Sequence, residues 1–172
     1  MTIDLVFISY NRLEYTKLSL ASLLADTTEE FSLTVWDNGS TDGTREYLES
    51  VNDPRVKRKV FSSQNVGLRG AVNDMFETSS ADLVGIIPND FLLTPGWTRP
   101  IAKAHADIPK LGMIGCWHYF LDDFDYRRAK HKIHSFNNHQ IFRHPWTGGG
   151  AGLVKLASVK QFGLLEGNAT TY

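Results

Sequence analysis

The sequence predicts an α/β fold, a mostly parallel sheet with helices on both faces. Three observations carry that expectation. From residue 3 to residue 119, short apolar runs alternate with stretches whose apolar residues recur at helical spacing. Two of the runs stop in acidic, polar turns: Val35-Trp36 runs into Asp37-Asn38-Gly39-Ser40, and Leu83-Val84-Gly85-Ile86-Ile87 into Pro88-Asn89-Asp90. Between them, Leu68, Ala71, Val72, Met75 and Phe76 fall at i, i+3, i+4, i+7 and i+8, one face of a helix.

The elements follow in order. Ile3 to Ser9 is short, apolar and β-branched, hence a strand. Leu13, Leu20, Leu23 and Leu24 are spaced for a helix from Leu13 to Leu24. Phe31 to Trp36 is the second strand, and Thr41 or Asp42 can cap a helix running to about Ser50. Val56 to Phe61 is a strand with Lys and Arg interleaved. The helix of Leu68 to Phe76 comes next, and then the buried strand Leu83 to Ile87. Thr94-Pro95-Gly96-Trp97 turns into a helix ending near Ile108, and Met113 to Tyr119 is a further strand. Regular patterning stops there. Residues 120–147 are polar, aromatic and basic with no clear period. Beyond Gly148-Gly149-Gly150, Ala151 to Lys155 reads as a strand and Leu156 to Phe162 as a helix. Strand–helix–strand units of this kind give right-handed crossovers and a parallel sheet.

A chain of 172 residues, 42% hydrophobic and 22% charged, is long enough to bury a substantial core. The formal net charge of −1 speaks against a nucleic-acid or membrane-surface partner. No run reaches transmembrane length, and Met1-Thr2-Ile3-Asp4 lacks the basic flank and apolar core of a signal segment, which predicts a cytoplasmic protein. The single cysteine, Cys116, excludes an internal disulfide and lies in an apolar stretch, as a core residue does.

The chemistry should lie where the strands end. The first strand ends in Ser9-Tyr10-Asn11-Arg12, the second in Asp37-Asn38-Gly39-Ser40 and the fourth in Asn89-Asp90. Ligands of open α/β sheets bind at that carboxyl edge. A carboxylate there can accept hydrogen bonds from a nucleobase or ribose. A second, beside a diphosphate, can hold a divalent cation, because hard cations take oxygen ligands. Tyr10 offers a ring for base stacking. Arg69 and Asn73 stand at i and i+4 on the third helix, opposite its apolar face, and can point toward phosphate. Singly, each feature has a plainer explanation: Asp-Asn-Gly makes ordinary turns, Asp90 can cap a helix, and Arg69 can be a solvated side chain. The coincidence of three polar turns in one short chain is what argues for a site.

In that order and spacing, Ile8-Ser9-Tyr10-Asn11-Arg12, Val35-Trp36-Asp37-Asn38-Gly39-Ser40-Thr41-Asp42, Asn65-Val66-Gly67 and Asn89-Asp90 followed by Thr94-Pro95-Gly96-Trp97 resemble the family-two glycosyltransferases of GT-A fold, which are Rossmann-like. The resemblance covers essentially the whole chain. It implies a nucleotide-sugar donor, often a UDP-sugar, a hydroxyl-bearing acceptor, an inverting mechanism and a divalent metal, Mn2+ or Mg2+. It places Ser9, Tyr10, Asn11 and Arg12 around the nucleotide and Asp37, with Asn38 and Gly39, at the base. It places Asn65, Gly67, Arg69 and Asn73 toward the phosphates, Asn89 beside the donor, and Asp90 on the metal as the last residue of an Asp-x-Asp-type motif. Residues 1–172 then form one GT-A domain, with 1–97 the donor half and 98–172 the acceptor half.

Two departures stand out. Pro88 and Asn89 occupy positions where family members often carry further aspartates, so one carboxylate and the diphosphate must share the metal. In the family, an acidic catalytic base follows a Gly-Phe-Asp-Glu-like stretch. Here Phe162-Gly163-Leu164-Leu165-Glu166-Gly167 resembles that stretch, and Tyr172 comes before the usual position of the base. Glu166 is the substitute nearest in sequence, and Asp122, Asp123 and Asp125 form another acidic group. Trp146 beside Gly148 to Gly150 can offer a platform to an acceptor sugar, since Gly149 and its neighbours allow close approach. The basic segment with Arg127, Arg128, Lys130, His131, Lys132, His134, His139, Arg143 and His144 lacks the compact spacing of a zinc site and suits an anionic acceptor or plain solvation. Two alternatives remain: a domain that binds nucleotide-sugar or glycan without turnover, and a sugar-phosphate nucleotidyltransferase. The latter would want a glycine-rich first turn, which Ser9 to Glu14 lacks.

Overall fold

The computed structural model describes residues 1–116, 126–143 and 150–166. The strands are β1 (Ile3–Ser9), β2 (Ser32–Asp37), β3 (Val56–Phe61), β4 (Leu83–Pro88), β5 (Met113–Gly115), β6 (Ile133–Phe136), β7 (His139–Phe142) and β8 (Gly152–Lys155). The helices are α1 (Leu13–Asp26), α2 (Thr44–Ser50), α3 (Gly67–Thr78), α4 (Thr98–Asp107), the short α5 (Tyr126–Ala129) and α6 (Leu156–Phe162). Six strands form one sheet in the order β3-β2-β1-β4-β8-β5, and β6 pairs with β7 apart from it.

β1 runs parallel to both β2 and β4, and β2 is parallel to β3. The chain therefore builds outward from β1 to β3, then returns to the other side of β1 for β4. That reversal makes the gap between β1 and β4 the topological switch point, where such sheets take their ligands. β8 is antiparallel to both β4 and β5. The sheet is thus mixed at this side, a detail that the apolar run at Ala151 to Lys155 could not specify. Two glycines permit the insertion. A Cβ on Gly85 would lie 2.3 Å from Leu5 and 2.8 Å from Leu153, and one on Gly152 would lie 2.8 Å from the carbonyl oxygen of Ile114.

Alternate side chains of β1 go to opposite faces, and both faces are covered. Leu5 and Phe7 join Leu20 and Leu23 of α1, Leu48 of α2 and Ile101 of α4 in one core. Val6 and Ile8 join Val72, Met75 and Phe76 of α3 and Leu156 of α6 in the other. Cys116 packs against the first core, and burial pushes its thiol up, as expected of an inert core residue. The Thr94 to Trp97 turn docks on the end of α1: Gly96 N–H donates to Asp26 (2.7 Å) and the Trp97 indole to Thr27 Oγ1 (2.9 Å).

The stretch without sequence period holds a hairpin. Asn137 and Asn138, with φ of 43° and 66°, turn β6 into β7. Positive φ at both central residues is what a two-residue hairpin loop of type I′ requires, and Asn accepts it. The Asn137 side chain donates to the Asp107 carbonyl (2.5 Å), and the Asp107 carboxylate meets His139 (2.6 Å) and Lys103 (2.5 Å). The hairpin is thereby fixed to the end of α4. Among the described residues no helix is long and apolar enough to cross a membrane.

Candidate functional site

Strand register brings the predicted turns level. Ser9 lies beside Asp37, and Ile8 beside Pro88, so β1, β2 and β4 end at one edge of the sheet. The residue that joins the three turns is Asn11. Its N–H donates to Ser40 Oγ (2.8 Å), and its Oδ1 accepts from Thr41 N–H (2.9 Å). Its carbonyl accepts from Asn89 Nδ2 (2.9 Å) and from the Thr16 hydroxyl (3.3 Å). Asn11 and Arg12 both have left-handed backbones, with φ of 53° and 62°. Such residues cost on the order of 1–3 kcal/mol each and persist where their surroundings fix them. Here the hydrogen bonds of the β2 and β4 turns do so.

One group of the predicted site residues is built into the turns. Asp37 is fully buried, and its carboxylate accepts from Ser9 Oγ (3.2 Å), Gly39 N–H (3.2 Å), Ser40 N–H (3.0 Å) and, closely, Ser40 Oγ. Asn38, 3% exposed, accepts from the Trp36 indole (3.0 Å) and donates to the Gly67 carbonyl (3.2 Å). Gly39 has φ of 79°, and a Cβ there would sit 3.0 Å from Gln64 Cα. Asn65 Oδ1 accepts from Gly67 N–H (2.8 Å) where α3 begins. Asn89 Nδ2 donates to Thr16 Oγ1 (2.8 Å) as well as to Asn11. These residues build the turns and spend their polar atoms on one another.

A second group faces solvent. Tyr10 is 46% exposed at the end of β1. Arg69 is half-buried on the first turn of α3, with no hydrogen bond or ion pair among the described residues. Asp90 is exposed after β4, and its Oδ2 meets Arg12 Nη1 at 3.1 Å across the switch point. Asn73 is engaged elsewhere: its Nδ2 donates to the Leu165 carbonyl and its Oδ1 accepts from Leu165 N–H, both at 3.0 Å. That pair brings the segment after α6 onto α3 and leaves the neighbouring Glu166 exposed. Trp146, Gly149 and the cluster Asp122, Asp123 and Asp125 lie outside the described residues.

The sequence reading passed over Thr16 and Ser19, and it took Ser40, Thr41 and Asp42 as motif or helix-cap residues without a place in the site. Thr16 and Ser19 are buried on α1, where Ser19 Oγ donates to the Pro88 carbonyl (3.2 Å). Asp42 Oδ2 accepts from Leu13 N–H (3.0 Å), so a residue of the turn between β2 and α2 caps the start of α1. Burial raises the Asp42 carboxyl, but hydrogen bonds from Thr44 and Leu13 outweigh it and hold the group below its usual range. The signal was present: Thr16 and Ser19 interrupt the apolar face of α1 at the turns nearest the strand ends.

A divalent cation finds limited support from protein groups. No group of three or more His, Cys, Asp or Glu suited to a metal occurs among the described residues. Asp90 supplies one carboxylate, whose Oδ1 makes no hydrogen bond among the described residues. Mg2+-type ions are commonly held by one or two carboxylates together with substrate phosphates. The residues fit a cation that arrives with a diphosphate.

A polar turn after each of three neighbouring strands, arranged around a switch point, defines the ligand-binding edge of a doubly wound α/β protein. Residues 4–155 match the family model described as glycosyl transferase family 2, and the chain belongs to that family. Validoxylamine A glucosyltransferase of Streptomyces hygroscopicus subsp. jinggangensis (strain 5008) is 30% identical over an alignment of 138 residues that covers 77% of this chain and 32% of that protein. Among solved structures, the mannosyltransferase PcManGT from Pyrobaculum calidifontis, in complex with GDP-Man and Mn2+, has a TM-score of 0.70 at 20% identity, over 95% of this chain and 47% of that one. S. aureus TarS in complex with UDP has a TM-score of 0.68 at 19% identity, over 94% and 49%. These likenesses show the GT-A fold. The chain spans about a third of that curated relative and about half of those solved ones.

Proposed function

We propose that the chain binds a nucleotide-sugar, a UDP-sugar by first expectation, and passes the sugar to an acceptor hydroxyl with inversion at the anomeric carbon. The observation that most supports this is the meeting of the β1, β2 and β4 turns at Asn11, with Arg12 and Asp90 opposed across the switch point. Residues 1–97 would form the donor half and 98–172 the acceptor half of one domain.

On this reading Tyr10 stacks on the base, and the turn set by Asp37, Asn38 and Gly39 receives its edge. Arg12 and Arg69 bring positive charge to the diphosphate, with Asn65 and Gly67 setting the start of α3 beside it. Asp90 holds Mn2+ or Mg2+, which when bound would neutralise charge on the departing diphosphate. The acceptor oxygen bonds to the anomeric carbon as the bond to the diphosphate oxygen breaks, and a base takes the hydroxyl proton. Glu166 is the carboxylate put forward for that proton, and Trp146 and Gly149 are put forward for the acceptor sugar. The cations of Arg12 and Arg69 stabilise the leaving group as its charge grows.

Calorimetric titration with UDP, GDP and CDP, then with their sugars, each with and without Mn2+, tests this. Metal-dependent binding of one nucleotide, lost in Asp90→Asn, is the expected result. Equal binding by Asp90→Asn and the parent chain would remove Asp90 from the site. A second reading draws on Asn89, whose amide is engaged within the turns and leaves Asp90 the one carboxylate of the turn after β4. Donor binding with neither transfer nor donor hydrolysis would favour that reading, a binding domain without turnover.

A further inference from the structure

The Arg12–Asp90 pair is an unusual contact to find at this edge. It is exposed, with side chains 62% and 41% accessible, and it is made through one guanidinium nitrogen and one carboxylate oxygen. Exposed single-contact pairs add little to stability. Yet the backbone that aims Arg12 is left-handed at both Asn11 and Arg12, and it is fixed by the hydrogen bonds of two other turns. A strained backbone serving a weak ion pair points to a role for the pair outside folding.

We infer that Arg12 is the resident countercation of Asp90, and that it exchanges onto the diphosphate when a metal–nucleotide arrives. The inference rests on the donor-site reading above. In the free chain the guanidinium neutralises the carboxylate at the position where a divalent ion would bind. A metal alone must compete with a cation already in place. A nucleoside diphosphate gives the guanidinium a better partner, since Arg binds phosphate oxygens by paired, charge-assisted hydrogen bonds. Once Arg12 turns to phosphate, Asp90 is released to the metal. Both partners have capacity for the exchange: among the described residues, Asp90 Oδ1 and the remaining guanidinium N–H groups make no hydrogen bond. Metal and nucleotide are thereby coupled, each raising the affinity for the other by the same factor.

The test uses the whole chain, titrated with Mn2+ alone, with UDP or GDP alone, and with Mn2+ and the nucleotide together. The variants are Arg12→Gln, Arg12→Gly and Asp90→Asn. Arg12→Gly removes the charge and relieves the left-handed backbone, so it guards against loss of folding. Both Arg12 variants should bind Mn2+ alone about two- to fivefold more tightly than the parent, the factor an exposed ion pair imposes. They should also gain less Mn2+ affinity from added nucleotide. If Asp90→Asn abolishes Mn2+ binding while the Arg12 variants bind Mn2+ alone no better than the parent, the exchange is overturned and the donor-site reading stands. If Asp90→Asn binds Mn2+ and nucleotide like the parent, Asp90 is not the ligand and both fall.

Discussion

Asn89 shows at the level of one residue why the β4 turn carries an amide where the sequence resemblance leads one to expect an aspartate. Its Nδ2 donates to the Asn11 carbonyl and to Thr16 Oγ1, and the side chain is 8% exposed. A carboxylate there would face the Asn11 carbonyl acceptor without a proton to give. Asn89→Asp should therefore cost about 1–3 kcal/mol of stability, measurable by urea denaturation, and should loosen donor binding with it. Unchanged stability would mean that the turn tolerates the charge. Tyr10 is the opposite kind of residue. It is exposed and joins no core cluster, so Tyr10→Ala should leave stability within about 0.5 kcal/mol. Nucleotide affinity should nonetheless fall by the about 1–3 kcal/mol that a stacked base contributes. Calorimetry beside a thermal melt separates the two effects. Residue types alone singled out both positions. They could not tell a group that builds a turn from one that faces solvent, because Asn, Asp and Gly serve either purpose.

Among the elements, legibility followed local pattern. Strands β1 to β4 and helices α1 to α4 were readable because each carries its period within its own residues. The antiparallel sense of β8 was not, because direction is settled by pairing with β4 and β5 across long separations. The β6–β7 hairpin was hidden for a related reason. With strands of four residues and half-exposed faces, it carries little hydrophobic alternation, and its legible mark is the Asn137-Asn138 turn. Helix α4 contributes a pH response. His105 is 2% exposed, with Nε2 3.2 Å from the Leu153 carbonyl of β8. Burial lowers its imidazole below the ordinary value, against the smaller opposing effect of that hydrogen bond. As pH falls below about 6.5, the unfolded chain takes up a proton that the folded chain resists. Stability contributed by neutral His105 should thus be full above that pH and decline beneath it. Denaturation between pH 7.5 and 5 should give a flatter profile for His105→Gln; equal slopes would exclude His105 as the cause.

For the whole molecule, the three turns after β1, β2 and β4 and the starts of α1 and α3 meet at one edge of the sheet. Residues 120–147 were less legible, because their polar, aromatic and basic sequence has no period to read. The formal charge of −1 makes long-range steering of an anionic nucleotide weak, so on the proposed function local cations such as Arg12 and Arg69 would provide the attraction. If the edge is preformed as described, saturating nucleotide with Mn2+ should stabilise the entire fold. At a hundred times the dissociation constant the gain is about 2.7 kcal/mol, or roughly 5–10 °C in Tm for a chain of this size. A shift with Mn2+ and nucleotide together that exceeds the sum of the separate shifts is the expected pattern, and purely additive shifts would argue against coupling.

The side-chain amide of Asn73 hydrogen-bonds only the main chain of Leu165, giving and accepting as a peptide group would. In effect one side chain of α3 stands in for a residue of a strand. Such a joint does not read the identity of its partner. Any residue except proline can occupy position 165, so the surface carried past α3 is free to vary while its path stays set. Asn73→Asp, which loses the donor, would release that path without touching a single apolar contact of the core.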